Sequence, residues 1–183
     1  RCAGSYGKLT AKMDGMREKG ILFGASITLT TENLATVTGD AFLNRLRTLG
    51  AKVVFFVDYV PADAGTERLA PGDAERALLS SRLDALRAAQ DGMIYVSFPG
   101  DEQFSDGCLA AGRGFFHINP TGGAEPCPFS PVSDTNLKHT SLLDALDSPL
   151  FTRLRASELL RGHHNGACAL FGKDDELAAM CGN

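Results

Sequence analysis

The first hundred residues switch repeatedly between a helical period and a strand period. Leu9, Met13 and Met16 recur at i, i+4 and i+7, predicting an amphipathic helix over residues 5–19 that stops at Gly20. Residues 21–29 then alternate, with Ile21, Phe23, Ile27 and Leu29 on one side and Gly24, Ser26 and Thr28 on the other. A second helical stripe follows in Phe42, Leu43, Leu46 and Leu49, with Asp40 placed to cap it and Gly50 to end it. Residues 51–59 are apolar on both sides except at Asp58, as expected of a parallel strand covered by helices. Pro61 stops that strand, and a polar loop leads to Pro71-Gly72. Leu79, Leu83 and Leu86 mark a long helix to about Gln90, and residues 93–98 make a third strand. Helix and strand alternating in this way predict parallel pairing with right-handed crossovers, hence an α/β class.

The texture changes at Pro99-Gly100-Asp101, which divides the chain into residues 1–99 and 100–183. Two short strands, residues 115–119 and 124–126, flank Asn119-Pro120-Thr121-Gly122-Gly123, a run of turn residues. A hairpin there brings Cys108 and Cys127 near each other. Cys168 follows in a glycine-bearing loop, and Cys181 closes a helical stripe with Leu177 and Met180. Ser141, three residues before Asp144, caps a short helix, and Ser148-Pro149 opens another in the Ncap-N1 arrangement.

Composition narrows the chemistry. A chain of 183 residues that is 44% hydrophobic can bury a core, which argues against wholesale disorder. The net charge of −4 argues against a broad phosphate-binding face, so no nucleic acid partner is expected. No apolar run reaches the length of a membrane span, so no membrane partner is expected either. The five cysteines are odd in number and too sparse for a disulfide framework, which suits metal ligands in a reducing cytoplasm. Thiolates fit iron–sulfur clusters and zinc alike. His163 and His164, with Cys168 and a hairpin cysteine, make a mixed zinc site conceivable, and with it a binding or scaffold module without a redox role. His117 is either a donor that supports the ligands or an ordinary strand histidine.

Cys108, thirteen residues, Gly122, four residues and Cys127 resemble the opening of the SPASM and twitch extensions of radical S-adenosylmethionine (SAM) enzymes. Gly112-Arg113, His117-Ile118-Asn119, Pro126-Cys127, Ser148-Pro149-Leu150-Phe151 and Gly166-Ala167-Cys168-Ala169-Leu170 extend the likeness. Gly20-Ile21-Leu22-Phe23-Gly24, Thr31-Glu32-Asn33 and Tyr59-Val60-Pro61 resemble the last third of the barrel of such enzymes. The resemblance implies the C-terminal part of a partial (β/α) barrel, residues 1–99, followed by a small twitch-like domain, residues 100–183. It implies an auxiliary 4Fe–4S cluster on Cys108, Cys127, Cys168 and Cys181. It also implies SAM contact from Ser26, Thr28, Asn33 and Asp58 at the strand ends, where polar interior filling is the other reading.

These enzymes hold a second 4Fe–4S cluster on a Cys-x-x-x-Cys-x-x-Cys loop, and this chain has no such spacing. With its start at Arg1-Cys2, the chain is expected to be a C-terminal fragment, inactive alone, of an oxidoreductase that generates a 5′-deoxyadenosyl radical. The partners implied are an electron donor for the clusters and a substrate left unnamed. Peptides and proteins are the common substrate class among SPASM and twitch relatives.

Overall fold

A computed structural model describes residues 4–61, 64–161 and 168–181. The chain divides into two compact units, residues 1–100 and 101–183.

The first unit is mixed α/β. Its three strands, β1 (Gly24–Leu29), β2 (Val53–Asp58) and β3 (Ile94–Phe98), form a parallel sheet in the order β1-β2-β3. Pairing sets Ser26 opposite Phe55, Thr28 opposite Val57 and Leu29 opposite Asp58. Helices α1 (Ser5–Glu18), α2 (Leu34–Val37), α3 (Asp40–Thr48) and α4 (Asp73–Ala88) lie between and around the strands. The core joins Leu29, Val54, Phe56 and Tyr95 of the sheet to Met13, Leu43, Leu46, Leu79, Leu83 and Leu86 of the helices. That is the apolar stripe the periodicity marks, and its burial drives the fold.

Three expectations are corrected. β1 starts at Gly24 rather than residue 21, and Ile21 lies half exposed before it. Asp40 does not cap α3; Gly39 holds the cap position, and Asp40 sits in the first turn and pairs with Arg82. A carboxylate there favours the positive end of the helix. Lastly, β2 is not covered on both faces. Val54, Phe56 and Asp58 are buried, whereas Phe55 is 44% exposed and Ile94 beside it 61%.

The second unit is built around a minimal antiparallel hairpin, β4 (His117–Ile118) with β5 (Ala124–Glu125). Helices α5 (Leu142–Leu146), α6 (Pro149–Ala156) and α7 (Asp174–Cys181) follow. Ser141 Oγ accepts the Asp144 N–H at 3.1 Å, and Ser148 Oγ accepts the Phe151 N–H at 3.3 Å, so both expected caps form. The core holds Leu150, Phe151, Leu154, Leu160 and Leu177, together with Cys108 and Cys127. Among the described residues no helix is long and apolar enough to cross a membrane.

The two neighbouring phenylalanines of β2 offer a direct check on which face is packed. Phe56 is fully buried, so Phe56→Ala should lower stability by about 3–5 kcal/mol. Phe55→Ala, on the open face, should lower it by less than about 1 kcal/mol. Urea unfolding followed by circular dichroism separates them, and equal losses would contradict the assignment of faces.

Candidate metal centre

Cys108 is presented by a reversal of the chain. A 3-10 turn over Gly100–Ser105 runs into Asp106 and Gly107, both left-handed at φ 56 and 99. A side chain at Gly107 would lie 2.1 Å from the Leu160 carbonyl oxygen, so only glycine permits this approach. The approach lets the Cys108 N–H donate to Leu160 O at 2.8 Å. Arg113 fixes the loop from the other side. Its guanidinium donates to the carbonyls of Cys108 (2.8 Å), Leu160 (3.1 Å), Ser105 (2.8 Å) and Asp106 (3.0 Å). One forked cation therefore joins the Cys108 loop to the segment that leads toward Cys168.

Cys127 is presented by the hairpin. Asn119 Oδ1 accepts the N–H groups of Thr121 at 3.0 Å and Gly123 at 2.8 Å, and Asn119 Nδ2 donates to Glu125 Oε1 at 2.7 Å. Gly122 takes φ 93, as the turn requires. Beyond the hairpin, the Ser130 N–H donates to Cys127 O at 3.1 Å. The Ala111 N–H donates to Pro126 O at 3.1 Å, tying the loops that carry Cys108 and Cys127 together.

These supports bring the buried Cys108 and Cys127 into the neighbourhood of the partly exposed Cys168. Cys127 donates a hydrogen bond to the sulfur of Cys168, and Cys108 lies within electrostatic range of both. Each sulfur also accepts backbone N–H groups just beyond its own residue. Ala110 serves Cys108, Phe129 serves Cys127, and Leu170 and Phe171 both serve Cys168. Donors aimed at sulfur favour the thiolate and tune a bound cluster. Burial nonetheless pushes the Cys108 thiol up to about 12, with the Glu102 carboxylate adding to the rise. Cys127 is raised because it keeps the proton it shares with Cys168 and because it is buried. Cys168 is lowered, chiefly by accepting that hydrogen bond.

Thiol sulfur is the donor type a soft metal takes, and of the three thiols Cys108 and Cys127 are buried while Cys168 is partly exposed. Ser130, bonded to Cys127 through its backbone, also keeps a buried hydroxyl without a hydrogen-bond partner among the described residues. As they stand, no three His, Cys, Asp or Glu side chains among the described residues form a ready-made ion site. The thiols are arranged as a hydrogen-bonded pair with a neighbour.

Cys181 does not join the other three. Its thiol donates to Leu177 O at 3.7 Å, one turn back in α7, and its charged neighbours are Asp134 and Arg153. His117 faces Glu125, with 3.9 Å from Nε2 to Oε2, rather than the thiols. His163 and His164 lie outside the described residues.

The four residues expected to contact SAM are split by the pleat. Ser26 and Thr28 project from the exposed side of β1. Asp58 projects from the opposite side of β2, because its partner in the ladder is the buried Leu29. There it accepts from Arg76 Nε at 3.3 Å, while its Oδ1 is buried without a hydrogen-bond partner among the described residues. Asn33 is engaged in its own loop: Oδ1 accepts the Thr30 N–H and Nδ2 donates to Thr28 O, both at 2.9 Å.

No protein-family model, curated protein or solved structure matches this chain.

Burial raises the Asp58 carboxyl to about 6 from an ordinary 3.8, against the opposing pull of Arg76. The folded state thus holds this proton more tightly than the unfolded state. The stability it contributes is present below the ordinary value and is lost as pH rises to about 6. Asp58→Asn does not titrate, so its stability relative to the parent should improve between pH 4 and 6, by up to about 3 kcal/mol. Above that window the difference should level off. A pH-independent difference in paired urea titrations would refute the assignment.

Proposed function

We propose that this chain belongs to the radical SAM class and that its second unit carries an auxiliary iron–sulfur site on Cys108, Cys127 and Cys168. In this reading residues 1–99 are barrel-derived and residues 100–183 are a twitch-like domain. The cluster that cleaves SAM is held by sequence outside this chain. The observation that supports it is the pairing of the Cys127 and Cys168 thiols, which come from separate segments, with Cys108 in electrostatic range of both.

When bound, an auxiliary cluster supplies one-electron redox capacity or an iron that a substrate can approach. The chain's own residues do the positioning. Gly107 and Arg113 hold Cys108 against the Leu160 segment, and Asn119 shapes the turn that leads to Cys127. The N–H groups of Ala110, Phe129, Leu170 and Phe171 spread thiolate charge onto the backbone. Substrate modification, with a peptide or protein as the substrate class, belongs to the whole enzyme, as do SAM contacts through Ser26 and Thr28.

Anaerobic reconstitution with iron and sulfide should give a brown protein, and Cys108→Ser and Cys127→Ser should each lose most of the bound iron. Unchanged iron in both variants would sink the reading. A colourless protein that takes up only zinc would favour the binding-module alternative.

This chain should also fail to cleave SAM alone, because it lacks the Cys-x-x-x-Cys-x-x-Cys spacing. Incubation with SAM and dithionite should yield no 5′-deoxyadenosine above a protein-free blank, and product that depends on the chain would refute this.

A further inference from the structure

The two edges of the three-stranded sheet are finished differently. Along a strand, the backbone N–H and C=O groups of successive residues turn alternately to one side and the other. On β3 the Ile94 N–H donates to Lys52 O at 2.8 Å, so Ile94 and Val96 turn to β2, and Tyr95 and Ser97 turn outward. That edge is closed. Tyr95 O accepts Arg87 Nε at 3.2 Å and Nη2 at 2.9 Å from α4, and Tyr95 and Ser97 are each 4% exposed. On β1 the Tyr59 N–H donates to Leu29 O at 2.9 Å, so Ala25, Ile27 and Leu29 turn to β2, and Gly24, Ser26 and Thr28 turn outward. All three outward residues are exposed. Thr28 O is taken by Asn33 Nδ2 at 2.9 Å, but among the described residues no hydrogen bond reaches the outward groups of Gly24 or Ser26.

We propose that the free edge of β1 is a strand-addition site for an extended polypeptide segment from outside this chain, uncharged and with bulky apolar side chains at alternate positions. The inference uses only the first unit and is independent of the iron–sulfur reading.

Folded proteins blunt an open edge with charge, proline, a bulge or a covering element. β1 has none of these: its sequence GASITL carries no charge and no proline, and its register with β2 is unbroken. The chemistry of the partner follows from the open face beside this edge. Phe55, Val57, Ile94 and Val96 lie on that face, and no residue the three strands contribute to it is charged. A charged side chain on the added strand would find no counter-charge there. β1 supplies only small residues to the face, with Gly24 beside Val53 and Ser26 beside Phe55. Bulky side chains of an added strand can therefore lean across β1 onto Phe55. A second copy fits less well, because β1 paired with itself sets small residues against small ones and leaves the apolar face open. Main-chain hydrogen bonds supply the affinity of such an addition, and alternate side chains its specificity.

The test reads the edge directly, by amide hydrogen exchange in the isotope-labelled full chain. The probe is a short peptide of alternating valine and threonine, kept monomeric by terminal lysines; its control has lysine in place of each valine. At up to about 1 mM the valine peptide should slow exchange of the Ser26 N–H by about tenfold or more and leave the Tyr95 N–H unchanged. The lysine peptide should do neither. Ser26→Lys puts a charge beside the edge, and Ser26→Pro removes an outward donor without touching the ladder to β2, so both should abolish the effect.

No slowing at Ser26, equal slowing by the lysine peptide, or slowing that survives in both variants overturns the proposal. Dimers of the peptide-free chain in sedimentation equilibrium that vanish in Ser26→Lys mean that a second copy takes the edge, which also overturns it. Should the variants fail to fold, the parent decides. Protection confined to Gly24, Ser26 and Thr28 supports strand addition, and protection spread evenly over the sheet overturns it.

Discussion

The second unit depends on one close approach of backbone to backbone, Gly107 against Leu160. Without a Cβ at Gly107, the chain before Cys108 can lie on the Leu160 carbonyl, and Cys108 donates its N–H to that same oxygen. Arg113 then closes the junction with donors to carbonyls on both segments. Such a junction matters because Leu160 is fully buried in the same core that surrounds Cys108 and Cys127. Packing therefore fixes Leu160, Leu160 fixes the Cys108 loop, and the Ala111 to Pro126 hydrogen bond carries that position to Cys127. Side chains set by a packed core and secured by hydrogen bonds keep a ligand geometry that a loop alone would lose.

Electrostatics in this pocket oppose one another. Burial and the Glu102 carboxylate hold Cys108 protonated, whereas the hydrogen bond from Cys127 lets Cys168 carry charge. The backbone N–H groups favour thiolate at every sulfur, yet at Cys108 they do not outweigh desolvation. The sulfurs are thus provided with charge-stabilising donors that the protonated form at Cys108 and Cys127 cannot fully use. A soft cation would resolve that mismatch, displacing protons and satisfying thiolates and donors together.

Much of this was legible in the sequence. The stripe Leu79, Leu83, Leu86 and the alternation through Thr28 and Leu29 located α4 and β1 because burial acts on whole faces. The turn at Asn119 to Gly123 was legible because few residues adopt its backbone. Less accessible was anything set by contact across sequence distance. Glu102 reads as one more acidic residue in a polar run, and nothing local marks it as buried; only the reversal at Gly107 turns it inward. Asp40 looked like a cap because of its residue type, but Gly39 supplied the extended backbone and Arg82, 42 residues away, claimed the carboxylate.

The strand ends of the first unit show how much depends on parity. Thr28 and Asp58 lie toward the C-terminal end of the sheet, where ligands bind in open α/β folds, whereas Ser26 sits mid-strand. Being near one end does not place side chains on one face. Ladder pairing puts Thr28 opposite Val57 and Leu29 opposite Asp58, so a single residue of register separates an exposed hydroxyl from a buried carboxylate. Asp58 answers to Arg76 of α4 and to the helix-covered core, whereas Ser26 and Thr28 share their face with Phe55 and Ile94. A ligand held on the open face would meet hydroxyls beside apolar surface, and the Asp58 carboxylate would reach it only through the rigidity of β2.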